Sequence, residues 1–310
     1  MDHETAELPV QSGKKKILFI INPVSGGRSS KKIPDKIKSG IDTNKYSFEI
    51  QFTERAGHAR LLATEALDNK TDVIVAVGGD GTMNEVASCL IHGDSLLGII
   101  PVGSGNGLAR HLGIPLAVSK AIQLINKGHY QLIDTAMVND KSFISIAGVG
   151  YDALIARRFR ESKKRGFTSY LKIIAGSFLT YKPKKYKVTS NGKTLITKAL
   201  FISFANSNQF GYNAQIAPKA KLNDGLLDIC IAQKPSLFEM PLIANLVLLK
   251  MIDKSPHVNI IPAKEVVIER KKGRYVNVDG EALKMDKKLN VKVIPSSLKV
   301  IIPEYGKKEK

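Results

Sequence analysis

Apolar runs and helix-spaced segments alternate along the chain up to Gln131. Residues 17–21, 72–77 and 96–101 are continuous apolar runs, and 46–53 alternates apolar with polar positions. Between them lie segments with helical spacing: a lysine-rich stretch near 30–38, residues 57–69 with Ala59, Leu62, Ala63 and Ala66 on one face, and 82–92. Strands separated by helices of this length predict a parallel sheet covered on both faces. Beyond Gln131 short strands dominate, at 133–138, 143–147, 186–190, 195–205, 226–231, 265–269, 275–278 and 289–294. Asn191-Gly192 between two of them is a hairpin signal, and the whole predicts an antiparallel sandwich or barrel. Helical stretches at 153–181 and 237–252 interrupt it, and a last strand, 298–302, is expected to return to the first domain.

Three glycine-rich loops follow the parallel strands. Asn22-Pro-Val-Ser-Gly-Gly27 comes after the first, Gly78-Gly79-Asp80-Gly81 after the third and Gly103-Ser-Gly-Asn-Gly107 after the fourth. Glycine leaves backbone amides uncovered, and a helix opening at about Thr82 adds its unpaired N–H groups and positive dipole end, a cradle for phosphate. Neither flanking loop matches a P-loop or a dinucleotide fingerprint, and each alone reads equally as a plain turn. Together they sit where ligands bind in such sheets. Ser25, Thr53, Thr82 and Ser104 supply hydroxyls there, Thr82 also reading as a helix cap. The fold expected is α/β plus all-β. A nucleotide-binding three-layer α/β domain spans 14–132 with about 298–304, and a β-sandwich-like domain spans 133–297, after a disordered leader, 1–13.

Composition narrows the partners. The 310 residues suit two domains, and 43% apolar with 24% charged residues is ordinary for a globular protein. The net charge of +19 predicts attraction to polyanions. Only 6% of residues are aromatic and none is Trp, so stacking platforms for single-stranded nucleic acid are poorly supplied. An anionic membrane surface is favoured over nucleic acid. Lys14-Lys15-Lys16 before an apolar run resembles a signal peptide, but the run is short and enters Asn22-Pro23, so it reads as a strand. Cys89 and Cys230 fall in apolar contexts, as reduced core residues. A cytoplasmic, peripherally membrane-associated protein is expected.

Two Asp-Gly pairs, Asp224-Gly225 and Asp279-Gly280, read first as hairpin turns. Glu281 follows the second, where a carboxylate can accept a proton from a hydroxyl attacking phosphorus. Asp224 with nearby main-chain carbonyls can bind a hard cation such as magnesium.

Asn22-Pro-x-Ser-Gly26, Gly78-Gly-Asp-Gly-Thr-x-Asn-Glu-Val86, Pro101-x-Gly-Ser-x-Asn106, Gly148-x-Gly-Tyr-Asp-Ala153, Asn223-Asp-Gly-Leu226 and Asp279-Gly-Glu281 stand in one order. In that order they resemble the diacylglycerol kinase and sphingosine kinase catalytic family, over about residues 15–303. The resemblance implies a nucleotide-binding α/β domain, a β-rich lipid-binding domain, and ATP with magnesium as cofactors. It assigns ATP contacts to Asn22, Ser25, Thr53, Gly78, Gly79, Asp80, Gly81, Thr82, Asn84, Glu85 and Ser104. Glu281 resembles the proton acceptor for the lipid hydroxyl, with Asp279 beside it in the catalytic set. Asp80 is similar to an aspartate that organises phosphates and catalytic magnesium, and Asp152 to a residue near the lipid headgroup. Lys221, Asp224 and Leu226 match a magnesium site, the first and last through main-chain oxygens. The basic run from Arg157 to Arg165 is read either as a phosphate or membrane contact or as a solvated helix face.

Ser104-Gly-Asn-Gly-Leu108 is closer to the sphingosine kinase form, whereas Thr82-Met-Asn84 suits the bacterial glycerolipid branch. The expected reaction transfers the γ-phosphate of ATP to a lipid hydroxyl, with diacylglycerol giving phosphatidic acid. A sphingoid-base kinase is the first alternative. NAD kinase, which also uses Gly-Gly-Asp-Gly-Thr, is the second, but its Asn-Glu pair lies well downstream and it has no role for Asp279-Gly-Glu281. A catalytically dead regulator is the non-enzyme alternative, opposed by the intact set Asp80, Asp224, Asp279 and Glu281. The leucine-rich helix 237–252 is read either as a lipid contact or as a core helix between domains. Expected partners are ATP and a lipid at an anionic membrane surface, with no nucleic acid; a homodimer is left open.

Overall fold

The computed structural model describes residues 6–7, 13–26, 31–162, 166–208 and 214–304. The chain divides into two compact units, residues 1–133 with 296–310, and residues 134–295.

The first unit runs β1 (Ala6–Glu7), β2 (Lys15–Ile21), α1 (Ile33–Gly40), β3 (Tyr46–Phe52), α2 (His58–Asp68), β4 (Val73–Gly78), α3 (Asp80–Leu90), β5 (Leu96–Pro101), α4 (Gly107–His111) and α5 (Val118–Lys127). Its strands lie in the order β3-β2-β4-β5, all parallel. Every residue of β4 and β5 is buried, which is why both read as unbroken apolar runs. Each helix turns one stripe inward, such as Ala59, Ala63 and Ala66 of α2, or Met83, Val86, Ala87 and Leu90 of α3. α5 stops at Gly128, whose φ of 75° lets its N–H reach the Leu124 carbonyl. The chain steps from β2 outward to β3, then back past β2 to β4. Right-handed crossovers therefore put α1 on one face and α2 and α3 on the other. The order reverses between β2 and β4, the position at which ligands bind in sheets of this kind.

The second unit continues with β6 (His129–Val138), β7 (Lys141–Phe143), β8 (Ile146–Gly150), α6 (Tyr151–Glu161), α7 (Phe167–Phe178), β9 (Lys184–Ser190), β10 (Lys193–Ala199), β11 (Phe201–Ala205), β12 (Leu227–Ala232), α8 (Met240–Leu248), β13 (Val258–Ala263), β14 (Glu265–Arg270), β15 (Arg274–Val278), β16 (Glu281–Met285) and β17 (Lys288–Ile301). β10-β9-β14-β17 form one antiparallel array, and β13-β12-β11-β8-β15-β16 another. Their inner faces meet in one core, with Val188, Val266, Ile268 and Leu289 from the first array against Val149, Ile202, Phe204 and Ile229 from the second. Asn191 and Gly192 close β9 onto β10 at φ 50° and 71°, the paired left-handed geometry of a two-residue hairpin. The far end of β17 is parallel to β5 through Val300 and Leu97.

The structure corrects the sequence reading at several joints. The strand at 195–205 breaks at Leu200, whose N–H goes to Ala232 and whose carbonyl accepts from Tyr151. The strand at 143–147 is two, β7 and β8. The helix at 153–181 is also two, with Gly166 at φ 98° before α7; residues 163–165 of the basic run lie outside the described set. The helix at 237–252 shortens to α8 between single 3-10 turns at Leu237–Glu239 and Ile252–Lys254. The strands at 289–294 and 298–302 are one, β17, and β13 and β16 are additional. Helix α3 opens at Asp80 rather than Thr82. Within the leader read as disordered, Ala6 and Glu7 pair with Tyr130 and His129 of β6. The rest of residues 1–12 and the 307–310 tail lie outside the described residues.

Candidate active site

In the first unit the glycine loops meet at the sheet's switch point. Asn22 donates its N–H to Val77 at 2.9 Å and its side-chain amide to Thr82 Oγ1 at 3.1 Å, tying the end of β2 to the start of α3. Thr82 is therefore buried inside the first helical turn and is not its cap; the cap position is Gly79. A Cβ on Gly78 would lie 2.5 Å from Thr82 Oγ1, and one on Gly103 would lie 2.4 Å from Gly79 Cα. The two loops pack backbone to backbone, which only glycine permits.

Asp80 stands at this junction. Its carboxylate accepts N–H groups of Asn106 at 2.9 Å and Gly107 at 2.7 Å, so it binds the start of α4 to the start of α3. Burial raises its pKa, and those amides oppose the rise. Asn106 supports the same loop from φ 54°, its side chain receiving the Gly103 N–H at 3.0 Å and donating back to the Gly103 carbonyl at 2.8 Å. Glu85 accepts the Gly57 N–H at 2.9 Å and so anchors the loop entering α2. Thr53 is buried beyond β3, with its N–H on the Ile21 carbonyl. Ser25 donates its N–H to the Asn22 carbonyl, Gly81 and Ser104 are exposed, and Asn84 is half-buried.

In the second unit, Asp279 and Gly280 form the two-residue turn of the β15–β16 hairpin, at φ 47° and 91°. The turn is fixed from two sides. The Asp279 carboxylate accepts three consecutive N–H groups, from Ile144 at 2.6 Å, Ser145 at 2.9 Å and Ile146 at 2.8 Å. Asn277 accepts the Gly280 N–H at 2.9 Å and donates to Asp152 Oδ1 at 2.8 Å. Glu281, the next residue, is exposed.

Asp152 lies in the first turn of α6. The residue as a whole is half-buried, but its Oδ2 is enclosed without a hydrogen-bond partner, as is Ser203 Oγ. Burial pushes the Asp152 pKa up to about 7, with the Asn277 hydrogen bond opposing. Gly148 pairs directly with both Ser203 and Asn277, so the three share a face of the sheet. A Cβ on Gly148 would lie 2.0 Å from Asp152 Oδ2. A buried polar row thus lies next to the turn carrying Glu281, with Asp152 Oδ2 and Ser203 Oγ lacking a hydrogen-bond partner within the fold.

Lys221, Asp224 and Leu226 lie apart from that row, in one loop. Asp224 Oδ1 accepts the Leu226 N–H at 3.1 Å, and Asp134 Oδ2 accepts the Gly225 N–H at 2.7 Å. Asp228 has its pKa raised by burial and then by the nearby Asp224 charge. No group of three His, Cys, Asp or Glu that could hold a metal occurs among the described residues. A cation here would rest on Asp224 and main-chain oxygens, an all-oxygen set of the kind magnesium takes.

The comparisons with known proteins follow this division. Residues 16–138 match the diacylglycerol kinase catalytic domain, and residues 145–302 match the YegS C-terminal NAD kinase beta sandwich-like domain. A diacylglycerol kinase of Staphylococcus saprophyticus is 30% identical over 285 residues, 86% of this chain and 89% of that protein. The chain belongs to the diacylglycerol kinase family. It is a lipid kinase. A Staphylococcus aureus diacylglycerol kinase is likewise 30% identical, over 86% of each chain. A diacylglycerol kinase crystal structure from Bacillus anthracis has the same fold at a TM-score of 0.74 and 22% identity, covering 94% of this chain and 98% of that one. Yeast NADH kinase, solved with NADH, shares the fold at 0.58 and 10% identity, covering 98% of this chain and 90% of that one.

Three buried asparagines, Asn106, Asn206 and Asn277, support these loops, and the motif reading gave none of them a role. Asn206 donates to the carbonyls of Asp134 at 2.8 Å and Ile144 at 2.7 Å, joining the Asp224 loop's support to the segment held by Asp279. The available signal was asparagine inside or beside a glycine turn, where its side chain can stand in for backbone. That signal covers Asn106 and Asn277; Asn206 has no such marker.

Proposed function

We propose that this lipid kinase transfers the γ-phosphate of ATP to the hydroxyl of diacylglycerol, giving phosphatidic acid and ADP. The observation that carries the acceptor side is the link from Asp152 through Asn277 to the turn that presents Glu281. The lipid hydroxyl gives its proton to the Glu281 carboxylate as its oxygen attacks the γ-phosphorus, and the bond to the bridging oxygen of ADP breaks. Asp152 receives the polar head of the lipid, its carboxyl, whose pKa burial pushes up to about 7, donating in its protonated form from Oδ2 to an ester carbonyl oxygen. Asp279 is a positioning residue, because its carboxylate is occupied by the amides of residues 144–146. On the donor side the amides of Gly79 and Gly81 face the phosphates, and Asn22, Thr53, Glu85 and Ser104 frame them. Asp80 holds the two loops in register. Magnesium, when bound, supplies charge neutralisation at phosphate oxygens; Lys221, Asp224 and Leu226 would hold one ion.

We also propose a peripheral membrane contact through α8 and the turn before it. No side chain of α8 is buried, Phe238 is 96% exposed and Leu248 78% exposed, and Lys250 and Lys254 flank them. An apolar surface edged by cations fits an anionic bilayer interface. No helix among the described residues is long and apolar enough to cross a membrane.

Labelled phosphate transfer from ATP to a panel of diacylglycerol, sphingosine, ceramide and NAD tests the reading. Diacylglycerol should be labelled fastest. Transfer to NAD alone would overturn it.

A further inference from the structure

A cavity of about 320 Å³ opens in the C-terminal unit beside α6 and the β15–β16 hairpin. Its size lies at the lower end of ligand pockets, roughly 300–1,000 Å³. Among the described residues, the cationic side chains Arg157, Lys184, Arg270, Arg274 and Lys284 line it, and no carboxylate does. Like charges gathered in one concavity repel, and the cavity focuses their field on whatever enters.

The surroundings neutralise this charge only in part. Arg157 meets Glu161 at 2.8 Å and stacks 4.7 Å from the Tyr275 ring centre. Arg270 is buried and gives its N–H groups to main-chain carbonyls of Arg274, Tyr275, Met285 and Asp286, at 2.9 to 3.3 Å. It braces the open end of the hairpin, burial lowers its pKa, and the nearby Asp286 charge offsets its own only in part. Arg274 and Lys284 are exposed, and neither joins an ion pair among the described residues. Tyr186 is buried in the wall beside Tyr181 with its pKa pushed up by burial, so it keeps its proton and adds no negative charge to the cavity.

We propose that this cavity is a binding site for a phosphate monoester, held by Arg274, Lys284 and Lys184 within the field of Arg270 and Arg157. A monoester is close to a dianion at neutral pH and has three acceptor oxygens, matched to an arginine fork and adjacent ammonium groups. The ester is either free in solution or the headgroup of a phospholipid. None of these cationic residues takes part in the proposed phosphate transfer.

The test compares the wild-type chain with Arg274→Ala/Lys284→Ala. Calorimetric titration with glycerol 3-phosphate is one arm, and sedimentation with phosphatidylcholine vesicles containing phosphatidic acid is the other. Both positions are exposed, so the fold should survive, and matching thermal melts check it. A Lys36→Ala/Lys38→Ala pair on α1 makes the same charge change elsewhere. The cavity pair should lose about tenfold or more in affinity in at least one arm, with the α1 pair within about twofold of wild type. Loss in the vesicle arm alone assigns a lipid headgroup, loss in the titration alone a free ester, and loss in both a site that takes either. Equal binding by wild type and cavity pair, loss matched by the α1 pair, or no binding of either probe would overturn the proposal.

Discussion

Asn277 donates its side-chain amide to Asp152 at 2.8 Å while its carbonyl oxygen holds the Gly280 N–H at 2.9 Å. One buried asparagine therefore joins a carboxyl group on α6 to the turn that delivers Glu281, and it leaves Asp152 with one oxygen free inside the fold. In the proposed reaction that oxygen reads the acceptor, and the turn positions the base.

Removing this link should impair chemistry before it impairs nucleotide binding. Asn277→Ala deletes two hydrogen bonds, each loss costing about 1–3 kcal/mol where a buried partner is left unpaired. Steady-state assays with diacylglycerol should show kcat reduced about tenfold to a hundredfold, one decade per roughly 1.4 kcal/mol. The dissociation constant of ATP, measured by calorimetry, should stay unchanged.

Two glycine substitutions should separate nucleotide binding from lipid turnover. Gly148→Ala puts a Cβ 2.0 Å from Asp152 Oδ2, so lipid turnover should collapse while ATP still binds. Gly103→Ala puts one 2.4 Å from Gly79 Cα, backbone against backbone, so nucleotide binding itself should be lost. Equilibrium dialysis with ATP distinguishes the variants.

The enclosed carboxyl group also sets a pH signature. Asp152 has its pKa raised from 3.8 to about 7 by burial. Between those values the unfolded chain has released this proton and the folded chain retains it, so this group's contribution to stability is full below about pH 4 and falls as pH rises through 7. Asp152→Asn removes that dependence. Its melting temperature should exceed the wild type's by a margin that grows from pH 5 to pH 8. Half-buried His111, with its pKa lowered to about 4, acts in the opposite direction in both proteins and cancels in the comparison.

Membrane docking through α8 predicts sensitivity to apolar truncation. Burying a large apolar side chain contributes about 1.5–3 kcal/mol, so Phe238→Ser/Leu248→Ser should weaken vesicle binding about a hundredfold or more. Turnover of diacylglycerol dispersed in detergent should remain near wild type. Vesicle sedimentation and a micelle assay measure the two.

The α/β half was the more legible in sequence because its strands are buried on both faces. Val73 to Gly78 and Leu96 to Pro101 could be bounded from apolar content and the glycine that follows. The β-rich half hid its joints. Leu200 looks like any strand residue until its backbone is seen to serve Ala232 and Tyr151. β16 begins at Glu281, directly after the turn, and its five residues alternate too briefly to stand out. The motifs named Asp80 and Asp279, but no sequence pattern says that each carboxylate is engaged by backbone amides from a distant loop. Such pairings depend on tertiary contact between segments, as does the enclosure of Asp152.

The most direct measurement is single-turnover phosphate transfer from labelled ATP to diacylglycerol by wild type and Glu281→Gln. The amide keeps the shape of the side chain but cannot take the hydroxyl proton, and general base catalysis typically contributes about 100- to 10,000-fold. The account predicts a rate lowered by at least the smaller of those factors, with ATP affinity preserved. A Glu281→Gln enzyme that transfers phosphate at near wild-type rate would contradict it.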